Sequence, residues 1–300
     1  MPGASKTALI TGIHGFTGRY MREELIAAGY RVVGLGSNPC SDKDYRQADL
    51  LDAYALKQVL LDVQPDMIVH LAAIAFVGHG DANAFYQVNV LGTRNLLEAI
   101  VSMGKTPDRV LLASSANVYG NASEGVLSEK TWPAPANDYA VSKLAMEYMA
   151  GLYASKLAIV IARPFNYTGV GQANNFLIPK IVSHYRTKVP VIELGNIDVW
   201  RDFGDVRSVV QAYRRLLEAP QSVGQIVNVC SGNTYSLHEV LTMCERISGH
   251  KLTVQVNPEF VRSNEVKTLT GDTSRLYKII GSWEPIPLFE TLKWMLSASQ

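Results

Sequence analysis

The sequence has little cysteine, no surplus of either charge and no long apolar run, and each shortage removes a class of function. Only three cysteines, Cys40, Cys230 and Cys244, stand among 300 residues. They show no CxxC spacing and no histidine cluster beside them, so buried thiols are expected rather than a metal site or a disulfide framework. Lys and Arg total 28 against 27 Asp and Glu, a net charge of +1. No bulk field therefore draws the chain to nucleic acid or to a membrane surface. No apolar stretch approaches the roughly 20 residues that cross a bilayer. Residues 7–12 are apolar but short, follow no basic leader and end in a glycine turn, so no signal peptide is read and a cytoplasmic protein is expected. Repeats and low-complexity tracts are also missing, which excludes solenoids and disordered linkers. What remains, 47% hydrophobic and 18% charged residues, is enough apolar material for one large domain or two lobes.

The first informative stretch is Gly12-Ile-His-Gly15-Phe-Thr-Gly18. Thr7 to Thr11 before it reads as a short buried strand. Phe16 to Ala28 reads as a helix closed by Gly29, and Tyr30 to Leu35 as a second strand. Such a strand–turn–helix–strand unit holds a dinucleotide pyrophosphate on the helix N-terminus. Gly12 suits the tight turn, Gly15 lets the pyrophosphate approach the backbone, and Gly18 lets helix and strand pack closely. The spacing is GxxGxxG rather than GxGxxG, so the surrounding elements carry the reading. His14, Phe16 and Thr17 belong to this turn; His14 either touches the pyrophosphate or faces solvent. After the second strand an NAD site would carry Asp or Glu for the ribose 2′-hydroxyl. Here Gly36, Ser37 and Asn38 follow, and no carboxylate would repel a 2′-phosphate. NADPH is therefore preferred over NADH, with Arg19 and Arg46 as candidate phosphate partners.

Further on, Asp49 and Leu50 precede a helix over about 53–63. A strand from Asp66 leads to Leu71, Ala72 and Ala73, whose small side chains leave room for a ligand against the backbone. A helix over 83–103 carries Asn89 and more than one apolar stripe, with Phe85, Val88, Leu91, Leu96, Leu97 and Ile100. One stripe can dock on a sheet and another on a second subunit. A strand over 109–114, containing Ala113, ends at Ser115. A helix from Tyr139 to about Lys156 and a strand over 157–162 lead into Arg163, Pro164, Phe165 and Asn166. The alternation then loosens over 167–206, and a helix at 206–218 with a strand at 225–228 returns to the first lobe. Helices near 236–248, 273–280 and 287–297 complete the chain. The fold class is α/β, a Rossmann-like doubly wound parallel sheet with a smaller discontinuous lobe. Residues 1–166 and 207–230 form the dinucleotide lobe; residues 167–206 and 231–300 form the other.

Tyr139-Ala-Val-Ser-Lys143 carries the chemistry. Residues at i and i+4 share one helix face. A phenol beside an ammonium group is a general acid whose pKa is lowered by the positive charge. Ser115, in Ser-Ala116-Asn117-Val-Tyr119-Gly120, can hold the oxygen that exchanges the proton. A lone YxxxK recurs by chance on helix surfaces; the glycine turn and the serine segment make it specific. His70 reads as a satisfied buried histidine. Tyr119 is either structural or beside the ligand, and Trp283 is expected in the small lobe.

Taken together, the glycine turn, the serine segment, the YxxxK pair, Asn89 and Arg163 to Asn166 resemble the extended short-chain dehydrogenase/reductases that act on nucleotide sugars. The resemblance runs nearly the full length. It implies catalysis by Ser115, Tyr139 and Lys143: Tyr139 exchanges a proton with a sugar oxygen, Lys143 lowers its pKa and bonds the nicotinamide ribose, and Ser115 holds the reacting oxygen. It implies cofactor contacts from Asp49, Leu50, Leu71, Ala72, Ala73, Asn89, Ala113, Arg163, Pro164 and Phe165 besides the glycine turn. It also implies a homodimer through a four-helix bundle built from helices over about 83–103 and 139–157.

Finer segments narrow the resemblance. Gly195 to Phe203, Pro258 to Val266 with Gly271-Asp272, and Asn228 to Gly232 are similar to those of GDP-mannose 4,6-dehydratases and their reductase relatives. By that match Arg201 and Arg262 hold a diphosphate, which the guanidinium fork reads bidentately, and Glu265 holds a ribose or base. Asn166 bonds the diphosphate or sugar, with Ala116, Asn117, Gln172, Asn175, Phe176 and Lys180 also on the substrate side. Phe76 and Val77 are candidates for an apolar wall around a C6 methyl group.

A 4,6-dehydratase of this family removes the C5 proton with a Glu two residues after the catalytic Ser or Thr. Asn117 stands at that position, and an amide cannot remove a carbon-bound proton at neutral pH. The segment from Arg163 to Phe176 resembles that of GDP-4-keto-6-deoxy-D-mannose reductases. The expectation is therefore NAD(P)H-dependent reduction of the C4 ketone of a GDP-4-keto-6-deoxy-hexose. The product is GDP-D-rhamnose or GDP-6-deoxy-D-talose, according to the sugar face presented. Other readings stay open: a dTDP- or UDP-linked ketosugar reductase, an epimerase or dehydratase, and an NADPH-sensing protein without turnover. Cys40 and Cys230 make no evident Cys–His pair for a C3/C5 epimerase, and the complete Ser115, Tyr139 and Lys143 set speaks against a sensor.

Overall fold

The computed structural model describes residues 5–75, 80–120, 125–260 and 268–298. In chain order the elements begin β1 (Thr7–Thr11), α1 (Phe16–Ala27), β2 (Arg31–Gly36), β3 (Tyr45–Gln47), α2 (Ala53–Val63) and β4 (Met67–His70). There follow α3 (Ala82–Tyr86), a π-helical turn (Gln87–Gly92), α4 (Thr93–Ser102), β5 (Arg109–Ala113), β6 (Gly125–Leu127), α5 (Asp138–Gly151), β7 (Ile159–Pro164) and β8 (Asn166–Thr168). The remainder runs α6 (Leu177–Arg186), β9 (Val191–Leu194), β10 (Trp200–Asp205), α7 (Val206–Glu218), β11 (Ile226–Val229), β12 (Thr234–Ser236), α8 (Leu237–Ser248), β13 (Thr253–Val256), β14 (Thr268–Gly271), α9 (Ser274–Ile280) and α10 (Leu288–Ser297).

Seven parallel strands form the main sheet, in the order β11-β7-β5-β4-β1-β2-β3. β1 pairs with β2 on one side and β4 on the other. The strand order therefore reverses at β1, and its carboxyl edge opens the crevice where such sheets take ligands. Side chains alternate across β1, since a strand has period two. Ala8 and Ile10 enter the layer with Met21, Leu25, Tyr213 and Leu216; Leu9 enters the opposite layer with Leu56, Leu97, Ile100 and Met146. Full burial contributes roughly 1.5–3 kcal/mol for each such side chain. A third core, with Ile181, Tyr185, Ile192, Phe203, Leu241 and Leu292, joins α6, α8 and α10 to β9 and β10.

The lobes interleave more than the sequence suggests. α9 and Trp283 lie in the expected second-lobe segment 231–300, yet both pack on the main sheet with α7. Leu276 and Ile279 give α9 an apolar face that completes the layer beside Tyr213 and Leu216. Conversely, β6 lies within 1–166 but pairs with β14 in the second sheet. β8, at the expected boundary, pairs with β10. The helix expected to reach Lys156 ends at Gly151, where glycine weakens the helix and three-residue turns close it, Leu152 N–H donating to Met149 O and Tyr153 N–H to Ala150 O. Cys230 and Cys244 are buried, but Cys40 is exposed, because it lies in the polar loop beyond β2. Among the described residues no helix is long and apolar enough to cross a membrane.

Candidate active site

The glycine turn joins β1 to α1 at the crevice. Gly12 has φ +71°, and a Cβ there would lie 2.8 Å from Ala72 N. At Gly18 a Cβ would lie 2.7 Å from the Ile13 Cα and closer still to Gly12 O. Both glycines are thus required by backbone packing. Gly15 caps α1, so no cap side chain occupies the first backbone N–H groups of the helix. A helix N-terminus of that kind suits a pyrophosphate. The side chains of α1 are tied elsewhere: Thr17 Oγ1 shares a 2.7 Å hydrogen bond with Tyr167 Oη, and Phe16 stacks on the Tyr167 ring at 6.1 Å.

At the end of β2, Ser37 and Asn38 are exposed and Gly36 half-buried. Tyr45 donates to Asn38 O at 2.6 Å and stacks against His14, with ring centroids 4.8 Å apart. His14 therefore lies exposed beside the end of β2. Arg46 is committed to Asp62 at 2.7 Å, and Arg19 donates to Gly171 O at 3.1 Å. Asp49 accepts from Leu51 N–H, and buried Leu50 packs against Gly92. A glycine cradle, an open helix end and a β2 end without a carboxylate together fit a dinucleotide, including one with a 2′-phosphate.

Tyr139 sits in the first turn of α5, which Asn137 caps by accepting from Ala140 N–H at 2.9 Å. Its phenol is pushed up to about 12, chiefly by burial, while a hydrogen bond with Ser115 pulls the other way. This corrects the expectation of a lowered value. Lys143 instead aims its ammonium at Ala113 O, 2.8 Å away, and burial pulls it down to about 8. Desolvation penalises the charged form of each group and is the largest cause of both shifts. Ser115 also closes the turn after β5 by accepting from Asn117 N–H at 3.1 Å. The fold thus brings Ser115, Tyr139 and Lys143 together.

Asn89 clips this centre to the neighbouring loop. Its side chain exchanges two hydrogen bonds with the Ile74 backbone, at 3.0 and 3.1 Å, and donates to Ser142 Oγ at 3.0 Å. The π-helical turn directs it inward, as such bulges do. Through these bonds the strand end at Leu71 to Ala73 is held against α5. His70 is satisfied, with Nδ1 2.7 Å from Thr11 Oγ1 and Nε2 2.8 Å from Thr93 Oγ1. Burial pushes it down to about 3, so it is neutral.

On the other wall, Asn117, Asn166 and Asn175 are exposed, and Ala116 and Phe176 half-buried. Gln172 is spent within its loop, bonded to Thr168 Oγ1 and Tyr167 O. Lys180 donates to Glu193 O at 2.8 Å and lies over the Phe260 ring. Arg201 donates to Trp200 O at 2.9 Å. Phe165 and Pro164 are buried under the centre, and Tyr119 is structural, donating to Asn228 Oδ1 at 2.7 Å. Phe76, Val77, Arg262 and Glu265 lie outside the described residues. A separate recess of about 270 Å³ lies by α5, lined by Glu129, Trp132, Leu144, Glu147, Tyr148 and Arg163 among others, and by none of the catalytic candidates. The sequence reading missed Glu147, which forms a buried ion pair with Arg163 (2.5 Å) and accepts from Ser114 Oγ. The signal was present, because Tyr139, Lys143 and Glu147 are spaced four apart along one face.

A switch-point crevice with a glycine cradle, bordered by Ser115, Tyr139 and Lys143, defines a dinucleotide-dependent dehydrogenase/reductase of the extended short-chain type. The chain belongs to the GDP-mannose 4,6-dehydratase family, whose model matches residues 9–295. It is 36% identical to the GDP-6-deoxy-D-talose 4-dehydrogenase of Aggregatibacter actinomycetemcomitans, covering 91% of each chain. It is 34% identical to the GDP-6-deoxy-D-mannose reductase of Pseudomonas aeruginosa, covering 96% of this chain and 95% of that one. Among solved structures, one from Burkholderia cenocepacia J2315, described as a candidate epimerase, is 52% identical with a TM-score of 0.92 over 97% of both chains. RMD from Pseudomonas aeruginosa, complexed with NADPH, is 32% identical with a TM-score of 0.85, over 98% of this chain and 97% of that one.

Proposed function

We propose that this protein reduces the C4 ketone of a GDP-4-keto-6-deoxy-hexose, with NADPH preferred over NADH. The observation that carries the reading is Ser115, Tyr139 and Lys143 gathered at the crevice while Asn117 occupies the place of a dehydratase base. Among the described residues, Glu147 and Glu129 near the centre are committed to Arg163 and to Asn228 N–H. Neither replaces the missing base. The two named relatives act on the two C4 epimers and are almost equally similar, so both products stay within the proposal.

The glycine turn, with Ser37 and Asn38 at the end of β2, would hold NADPH, which would supply the hydride. Tyr139 keeps its proton at neutral pH because its phenol lies near 12. An alkoxide forming at C4 is far more basic, so the phenol releases its proton only as the oxygen gains charge. Ser115 donates a hydrogen bond to that oxygen and orients it. Lys143 holds the nicotinamide ribose and supplies positive charge beside the phenol. Arg201, with Arg262, binds the diphosphate, Glu265 the ribose or base, and Asn166 the sugar side.

By this reading the main-sheet lobe binds the cofactor, and β8 to β10 with α6, α8 and α10 bind the nucleotide sugar. A homodimer joins the helical faces over about 83–103 and 139–157, where Leu91, Val101, Val141, Tyr148 and Leu152 are exposed apolar side chains. The test is NADPH oxidation with enzymatically prepared GDP-4-keto-6-deoxy-D-mannose, followed by NMR of the product. Turnover with a defined C4 configuration supports the reading; no turnover while NADPH binds sinks it. The Burkholderia likeness favours a second reading, a nucleotide-sugar epimerase. That would be seen as substrate interconversion with no net NADPH consumption.

A further inference from the structure

Beside the reacting face of α5 lies an ion pair that the proposed reaction does not use. Glu147 is 5% exposed and Arg163 is 3% exposed. Glu147 Oε1 accepts from Ser114 Oγ at 2.5 Å and from Arg163 Nε at 2.8 Å; Oε2 accepts from Arg163 Nη2 at 2.5 Å. The guanidinium carbon stands 4.9 Å from the centre of the Tyr119 ring. One turn before Glu147, Lys143 Nζ donates to Ala113 O at 2.8 Å. α5 thus grips two successive residues at the end of β5, Ala113 through Lys143 and Ser114 through Glu147. The next residue is Ser115.

From this geometry we propose that Glu147 is a positioning residue for Lys143: its carboxylate keeps the adjacent buried ammonium charged and fixes the strand end that presents Ser115. The inference rests on the reading of Lys143 as the cation beside Tyr139. A buried ion pair about breaks even against apolar packing, so fold stability alone does not explain this one. Burial works against the Lys143 charge, and the Glu147 carboxylate opposes that effect. Among the described residues, the other groups around Lys143 supply no negative charge. His70 of β4 is neutral between Thr11 and Thr93, Tyr139 keeps its proton, and the Arg163 charge on β7 is matched by Glu147 itself. Asn89 and Ser142 are uncharged, and burial holds the Tyr213 phenol of α7 protonated.

Without the carboxylate, Lys143 loses its proton more readily, and the alkaline limb of kcat/KM moves to lower pH. The experiment measures kcat/KM for NADPH-dependent reduction from pH 6 to 10 in the wild type, E147Q, E147Q/R163Q and K143R. The double variant removes the guanidinium that E147Q strands. We expect E147Q and the double variant to show the limb about one pH unit or more below wild type, with the NADPH affinity of E147Q at pH 6 kept within about threefold. A cooperatively folded double variant with the limb at its wild-type position overturns the proposal, as does a wild type without an alkaline limb. A limb that persists in K143R, whose guanidinium stays charged, overturns instead the underlying reading of Lys143.

Discussion

Thr17 and Tyr167 share a 2.7 Å hydrogen bond between their hydroxyls, across 150 residues of chain. Thr17 lies in the first turn of α1, at the glycine turn; Tyr167 lies in β8, which pairs with β10. Two more bonds run the same way, Tyr20 to Val170 O and Arg19 to Gly171 O. The helix end proposed to receive the pyrophosphate is therefore stitched to the segment leading into the proposed substrate wall. Tyr167→Phe removes one stitch and keeps the ring stack on Phe16. A hydrogen bond of this kind contributes about 0.5–1.5 kcal/mol, so NADPH Kd should rise about two- to tenfold and Tm should fall by a few degrees. Fluorescence titration with NADPH and a thermal melt check this; unchanged values for both would refute the coupling.

Tyr139→Phe should lower kcat by about 10²- to 10⁴-fold, because the proton donor is lost. NADPH binding should be nearly kept, since the ring still packs beside Phe85 at 6.0 Å. Stopped-flow turnover and a binding titration on the same preparation separate the two effects. Turnover close to wild type would remove Tyr139 from the acid role.

Gly18→Ala should damage cofactor binding through backbone geometry alone. The added methyl group meets Gly12 O and Ile13 Cα, which belong to the turn and cannot rotate away. The turn must open, and the helix N–H groups proposed to face the pyrophosphate move with it. An NADPH Kd at least about tenfold weaker, with a lower Tm, is the expected outcome of such overpacking. Wild-type affinity would show that the turn is more compliant than its packing implies.

Much of the fold and centre was legible because it is local. The strand, glycine turn and helix over 7–27 are contiguous, and Tyr139 and Lys143 share a face by spacing alone. The same stripe runs on to Glu147, but a carboxylate on a helix reads as a solvated charge until its partner is known. Arg163 lies in β7, and only parallel pairing of β7 with β5 brings it under α5. The electrostatics failed for a related reason: proximity of Tyr139 and Lys143 is visible in sequence, whereas the desolvation that dominates both is not. The assignment of α9 failed because its short apolar face suits either lobe, and the choice was made by the gap beside Tyr213 and Leu216 on the main sheet.

His70 predicts how stability depends on pH. In the fold it lies near 3, lowered chiefly by burial and further by Lys143; the ordinary value is 6.5. The folded state therefore favours neutral His70, and its contribution is fully present above about pH 6.5. As pH falls from 6.5 toward 3, the unfolded chain takes up a proton that the folded chain refuses, and stability drops by up to about 1.4 kcal/mol per pH unit. Asp202 acts in the opposite sense over about pH 4–6, because burial raises its carboxyl to about 6 and its protonation there favours the fold. Comparison with a His70 variant isolates the histidine. His70→Gln keeps a polar group between Thr11 and Thr93 but does not titrate. Urea midpoints at pH 7 and pH 5 should fall clearly in the wild type and less in His70→Gln, even though the variant starts lower. Equal falls in both would mean that the imidazole does not carry the acid sensitivity.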